Sequence, residues 1–383
     1  MNRRKALFYH EWHTMRWILL AGCGCALVLG GIFYAYIAGI ANNQEYSIYF
    51  ASAQHNLGSV FSEGLVSALS RAHTVAVPVF AFMSILQFAD SHSRKSREYL
   101  ASLPCTQSER FAVKAAVGFG IITISCLVLS VLVLITRSRF MDIFVKWSVL
   151  LPGTQVVYAN ETLLHTLRSL ALFWLTLLAL YAIFMAVQSL VRQGPMAALI
   201  GIGATAAPWL IATAVQSVLS YIMMSDYSEI AWQEVVAAQE QYLYPMEHIK
   251  NVCGSFWGLG TGIAQGGAVG QDYIYSVAET VLVSYENMWL LFGSMAVLLI
   301  GCTILGWQAN KKLDMARAGM LVPIRRVRIL IGVSFGICCG LALGLFVTSA
   351  LQNGNMLFFC APGIVTAVVM SLLCIKLLKR TVK

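Results

Sequence analysis

Seven strongly apolar stretches of this chain are free of Asp, Glu, Lys and Arg: residues 17–44, 72–89, 115–136, 169–191, 193–225, 287–310 and 329–375. A helix needs about 20 apolar residues to cross the hydrocarbon core of a bilayer, and all of these runs but 72–89 reach that length. The last is long enough for two spans, with a turn expected at Gln352-Asn353-Gly354-Asn355. Counting the shorter run, about eight spans are expected. Composition agrees, since 58% of residues are hydrophobic and 11% are charged, against about 25% charged in a soluble domain. The sequence therefore predicts an all-α, polytopic membrane protein, because only a helix or a closed barrel satisfies its own backbone hydrogen bonds in hydrocarbon.

The net charge of +9 is distributed along the chain by topology. With the N-terminus in the cytoplasm, 20 of the 26 Lys and Arg residues fall inside, and 12 of the 17 acids fall outside. That is the positive-inside pattern, so both termini are expected to be cytoplasmic and no nucleic-acid partner is expected. Of ten Cys, eight lie in the apolar runs, Cys105 is expected inside and Cys253 outside, which leaves no disulfide framework within one chain. No metal-ligand spacing occurs either, since His10-Glu11-Trp12-His13 differs from the His-Glu-x-x-His of a zinc helix.

Residues 1–16 are expected to form an interfacial helix with Phe8, Trp12 and Met15 on one face. The apolar run after Arg16 exceeds the 7 to 15 residues of a secretory signal, so it is expected to stay as an uncleaved span. Pro78 predicts a kink in the second span. Val191-Arg192-Gln193-Gly194-Pro195 leaves room only for a tight inner turn between the fourth and fifth. On the fifth span Thr205, Trp209, Thr213, Gln216 and Ser220 fall within about 80° of one another at 100° per residue. Phe80, Ser84 and Gln87 share a face of the second. Such polar stripes either hydrogen-bond to neighbouring helices or line a water-accessible path. Residues 226–286 form an outer segment with eight acids and Lys250 as its one base. Its glycines are no phosphate loop, because the chain has no Gly-Lys pair. Gly201-Ile-Gly203-Ala-Thr-Ala206 mimics a dinucleotide fingerprint but lies in a membrane span without the required strand. On the seventh span Gly332, Gly336, Gly340 and Gly344, four apart, predict a side-chain-free groove for close helix packing.

Between the second and third spans runs the region's densest charge, with Asp90, Arg94, Lys95, Arg97, Glu98, Glu109, Arg110 and Lys114. Ser91 or Ser93 can cap a short helix, Tyr99, Leu100 and Leu103 recur along it, and Pro104 stops it. Taken alone, this fits a solvated loop helix as well as a docking element. The order of features, Glu98, Leu100, Leu103-Pro104, Thr106 and then Lys114 inside the next helix, resembles the connector of ATP-binding-cassette (ABC) exporter permeases of the type-2 class. Cys105 and Gln107 depart from that pattern, where the family more often has a β-branched residue and a base. The resemblance implies that residues 91–104 are a coupling helix that contacts a separate cytoplasmic ATPase through Arg97, Glu98, Tyr99, Leu100, Leu103, Pro104 and Thr106. It also implies that the second and fifth spans border the translocation route. Asp314-Met-Ala-Arg317-Ala-Gly319 resembles the sequence that precedes an additional helix pair in a bacterial subset. Residues 17–310 would then be the six-helix core, and 311–383 a basic inner linker with the extra pair.

No Asp, Glu, Lys or Arg falls near the middle of any span, whereas ion-coupled carriers and membrane-embedded hydrolases need titratable or nucleophilic groups there. A permease driven by a separate ATPase needs none. The expectation is a multi-pass, non-enzymatic permease subunit of a bacterial cytoplasmic membrane, in contact with lipid, without a cofactor or metal of its own. ATP and Mg would be bound by the partner ATPase, and a second permease copy or a sister permease would complete the path. An amphipathic or hydrophobic cargo is expected, such as an antimicrobial peptide, a lipid-like molecule or a drug. The alternative is a membrane sensor or assembly subunit that binds an extracellular ligand without transporting it.

Overall fold

The computed structural model describes residues 3–42, 57–92, 106–149, 163–191, 193–225, 248–249, 252–257, 273–311, 322, 324–351 and 356–379. Eight long helices account for nearly all of them: α1 (Arg3–Asn42), α2 (Leu57–His92), α3 (Gln107–Val149), α4 (Leu163–Leu190), α5 (Gly194–Ser225), α6 (Tyr273–Lys311), α7 (Arg325–Leu351) and α8 (Met356–Leu378). Among the described residues there is no strand. Each helix contains a segment long and apolar enough to cross a membrane, so the chain is a multi-pass membrane protein with eight such helices.

Several helices outrun the apolar stretches that announce them. α1 continues through Arg16 without a break, so the expected elbow and the first span are one helix. At 1.5 Å per residue it is about 60 Å long, twice a hydrocarbon core of about 30 Å. α2 starts at Leu57, α3 runs on to Val149, and α6 starts at Tyr273, each some four turns beyond its charge-free run. A charged residue ends the part of a helix that hydrocarbon tolerates, but it does not end the helix. Much of the expected outer segment 226–286 lies outside the described residues; of the rest, 252–256 form a short helical turn and 273–286 begin α6.

The chain divides into two compact units. One comprises Met1–Pro78, Ala112–Ala179 and Trp257–Leu299. Its core includes Phe33 of α1 edge-on to Phe61 of α2 at a centroid distance of 5.4 Å, and the exposed Tyr34 stands edge-on to the buried Phe140 of α3 at 5.2 Å. The other comprises Val79–Phe111, Leu180–Phe256 and Ile300–Lys383. Within it the turn between α4 and α5 is as tight as its sequence requires, with Pro195 in the first turn of α5, where a missing N–H leaves no hydrogen bond unmade. Val191 and Ala197, on either side of that turn, are buried with Val322 and with Leu378 at the end of α8.

The glycine face of α7 meets α8. A Cβ built on Gly336 would collide with the Ala367 carbonyl and with Ser371, and one on Gly340 with the Gly363 carbonyl and, at 2.8 Å, with Ala367 Cβ. Gly332 faces Ile375 in the same way. The facing residues of α8, Gly363, Ala367, Ser371 and Ile375, are themselves four apart, so the antiparallel pair interlocks small residues on both sides. In a bilayer, where lipid is as apolar as Leu, such van der Waals contact takes over much of the role that the hydrophobic effect has in water.

Gly336→Leu is therefore expected to lower the thermal stability of the purified protein, by about 1 to 3 kcal/mol or more, since no rotamer clears the α8 backbone. Gly301→Ala on α6, where an added Cβ meets nothing within 4 Å, should leave it unchanged. Melting curves of both variants in one detergent test the pair. Cys253 gives a second expectation. It is buried in the turn 252–256, and desolvation pushes its thiol up to about 11. The thiolate is the reactive form, so at neutral pH its alkylation should be about two orders of magnitude slower than that of an ordinary thiol, and it should speed up as pH rises toward 11. Rapid labelling of Cys253 at pH 7 in the folded protein would contradict this burial.

Candidate functional site

Three residues of α2 expected to share a face, Phe80, Ser84 and Gln87, do so, and all three are buried. The face is occupied by α4. Phe80 packs edge-on against Tyr181 with ring centroids 5.6 Å apart, and the fully buried Tyr181 hydroxyl donates to Gln87 Oε1. Two turns further along α4, Gln188 donates through both hydrogens of its amide, to Ser84 Oγ at 3.1 Å and to the Gly194 carbonyl at 3.2 Å. Ser84 passes its own proton to the Ala81 carbonyl at 2.8 Å. The neighbouring Ser189 accepts from Asn310 of α6 at 2.7 Å and donates to Met185 of its own helix. These contacts bind α2, α4, the α4–α5 turn and α6 into one polar layer.

That layer satisfies its own members, so in this conformation the α2 face is a packing surface. Tyr181 and Gln188 were not anticipated as its partners. Their spacing of seven residues, two helical turns, places them on one face of α4 and was the signal available. On α5, Thr205 is buried and returns its hydroxyl to the Ile202 carbonyl at 2.8 Å. Trp209 and Thr213 are half-buried, and the side chains of Gln216 and Ser220 lie outside the described residues.

Of the expected ATPase-contact residues, Arg97, Glu98, Tyr99, Leu100, Leu103 and Pro104 lie outside the described residues. Thr106 is described, and it caps α3. Its Oγ1 accepts from the Glu109 N–H while Glu109 Oε2 accepts from the Thr106 N–H, both at 3.2 Å, a reciprocal capping box. The two helix ends that flank the connector also touch: Phe88 in the last turns of α2 and Phe111 in the first turn of α3 are both buried, with ring centroids 6.5 Å apart. Gly306 of α6 admits the Phe111 ring, since a Cβ there would stand 2.8 Å from its edge.

One turn beyond Phe111, Lys114 reaches Glu11 of α1 at 2.9 Å, with side-chain exposures of 5% and 12%. The pair ties α1 to α3. Neither partner was legible as such, because both sit in charged stretches flanking apolar runs. His73, near the start of the second charge-free run, is buried within the membrane-compatible part of α2.

No family model, curated protein or solved structure matches the chain.

Removing one member of a buried ion pair strands the other charge, which commonly costs about 3 to 5 kcal/mol, whereas replacing both with apolar residues is often neutral or stabilising. Lys114→Met and Glu11→Leu are therefore each expected to destabilise the protein, and the double variant to recover most of the loss. Unfolding measurements on the four proteins check this, and additive losses would mean that the two side chains do not interact.

Proposed function

We propose that the chain is the membrane-spanning permease subunit of a type-2 ABC exporter, seated in a bacterial cytoplasmic membrane with both termini inside. The reading is carried by the connector between α2 and α3, whose residues resemble the coupling helix of that class. Its setting supports the reading. A segment that receives force from an ATPase must be anchored at both ends, and here α2 and α3 are joined by Phe88 and Phe111 while Thr106 and Glu109 fix where α3 begins. The Glu11–Lys114 pair extends that anchorage from α3 to α1.

In this reading ATP and Mg are bound by a separate cytoplasmic ATPase, and this chain supplies no catalytic group. Energy enters as movement of residues 91–104. A second permease, either a copy or a sister chain, completes the path. The cargo is amphipathic or hydrophobic. The route along α2 and α5 opens when the polar layer at Ser84, Gln87, Tyr181 and Gln188 exchanges its internal hydrogen bonds for contacts with cargo or water.

In the docked complex Tyr99, Leu100 and Leu103 fill the ATPase groove while Arg97 and Glu98 lie at its rim. A central buried anchor cut to Ala commonly costs about 2 kcal/mol or more, and an exposed rim charge less than about 1. Leu100→Ala with Leu103→Ala should thus leave the permease folded and inserted but release the ATPase in pull-down and abolish cargo-stimulated ATP hydrolysis. Charge reversal at Glu98 should weaken the complex in a salt-dependent way. A double variant that still co-purifies with an ATPase and transports at the normal rate would sink the assignment, and a chain that binds an outer ligand without any ATPase-dependent movement would be the sensor or assembly subunit instead.

A further inference from the structure

From Met315 to Lys383 the chain carries eight Lys and Arg residues and no Asp or Glu. The antiparallel α7 and α8 bring several of these bases together. A Cβ on Gly332 would stand 3.3 Å from the Ile375 backbone N. Arg328 precedes Gly332 by four residues and Lys379 follows Ile375 by four, so both bases lie one turn beyond that contact, at the same end of the pair. Arg325 and Arg326 in the first turn of α7 and Lys376 in the last turn of α8 are exposed at this end. Leu378, next to Lys379, is buried with Val191 and Val322, and Val327, next to Arg328, packs against them. The bases are therefore held on a packed framework.

Arg328 is half-buried, and its Nε and Nη1 are shielded from solvent without a hydrogen-bond partner among the described residues. The last carbonyls of α8 are at this end too, yet these two nitrogens close no bond to them. Three Arg within four residues also stand at the positive end of the α7 dipole, with no acid in its first turn, so the charges are unfavourable to one another and to the helix. The positive-inside rule accounts for bases on one side of a membrane, but not for covering two guanidinium nitrogens without an acceptor. An anion answers both. The exposed bases also sit just outside exposed apolar side chains. Leu330 lies one turn further into the span than Arg326, and Leu372 and Leu373 one turn further in than Lys376, on the same helix faces. Positive charge at the edge of two spans with exposed Leu immediately inward fits a phospholipid, head and tail; an acidic protein surface would meet the charge alone.

We propose that this end of the α7–α8 pair is a binding site for an anionic phospholipid. Arg328 donates to an oxygen of the phosphate, Arg325, Arg326, Lys376 and Lys379 supply the positive field that selects an anionic head, and the acyl chains lie along the exposed leucines one turn inward. This inference rests on α7 and α8 crossing the membrane and not on the exporter reading, so either can fail alone.

The test is native mass spectrometry of the full-length protein, stripped of lipid in a non-ionic detergent, titrated with dioctanoyl phosphatidylglycerol, dioctanoyl phosphatidylcholine and glycerol 3-phosphate. The phosphatidylglycerol is expected to bind saturably, and the other two at least tenfold more weakly. Arg328→Gln should lower its affinity about tenfold, the loss of a charge-assisted contact, and Lys379→Gln about fivefold, the share of one base near a charged head. Lys5→Gln removes the same charge from an exposed site on α1 and should change nothing. Melting curves separate binding from a structural role. Without lipid Arg328→Gln should melt at or above the wild type, since it deletes an unpartnered guanidinium, while it loses most of the rise in melting temperature that phosphatidylglycerol gives the wild type. Should Arg328→Gln fail to fold, Lys379→Gln carries the same comparison. Equal binding of the two lipids overturns the proposal, as does an affinity that both Arg328→Gln and Lys379→Gln leave unchanged or that Lys5→Gln lowers equally. Glycerol 3-phosphate binding as tightly as the lipid would make this a site for soluble phosphates and overturn the lipid assignment. No binding by any of the three overturns it as well, and leaves the bases to an acidic protein partner.

Discussion

Hydrocarbon offers a backbone N–H or C=O no partner, and that constraint decides the rest of this fold. Every apolar run must close its own ladder as a helix, and each connection must be made where water or protein can receive the freed groups. The α4–α5 turn shows how narrow the margin is. It has only a few residues, and the buried Gly194 carbonyl, at the start of α5, is met by the Gln188 amide from the end of α4. Pro195 is tolerated beside it because the first turn of a helix needs no N–H.

Once the backbone is satisfied, helices must still find one another without the hydrophobic drive available in water. Two solutions appear in separate places. The α7–α8 pair removes side chains, so Gly336 and Gly340 let the backbones themselves touch. The α2–α4–α6 layer instead uses directional bonds through Ser84, Gln188, Ser189 and Asn310. A glycine interface makes sliding or wedging costly because any added atom meets backbone, whereas a hydrogen-bonded layer can change partners at constant packing.

This division explains what the sequence disclosed. Helix count followed from charge-free runs, and the glycine face from spacing alone, because both are periodic properties of one segment. The partner of the glycine face did not follow. Gly363, Ala367 and Ser371 repeat at the same interval, but a repeat of four recurs on many helices and names no pair until the chain is folded. The helix ends at Leu57, Val149 and Tyr273 lie well beyond the charge-free runs, since hydropathy marks the bilayer's edge and α-helix continues in water wherever propensity allows. The α2 face was legible as polar, with hydrogen bonding and a water path both open as readings; its hydrogen-bond partners Tyr181 and Gln188 stand on a helix read only as apolar. Glu11 and Lys114 stand about a hundred residues apart, and no local pattern links two such charges.

The contrast between His73 and Gln188 carries one further step. Both are polar and buried, each on a helix that otherwise reads as a membrane span. Gln188 has both amide hydrogens placed, so changing its environment means breaking bonds already made. Among the described residues the nitrogens of His73 close no hydrogen bond of ordinary geometry. Pro78 falls between Ser84 and His73, and its missing N–H leaves the Thr74 carbonyl without its helix partner.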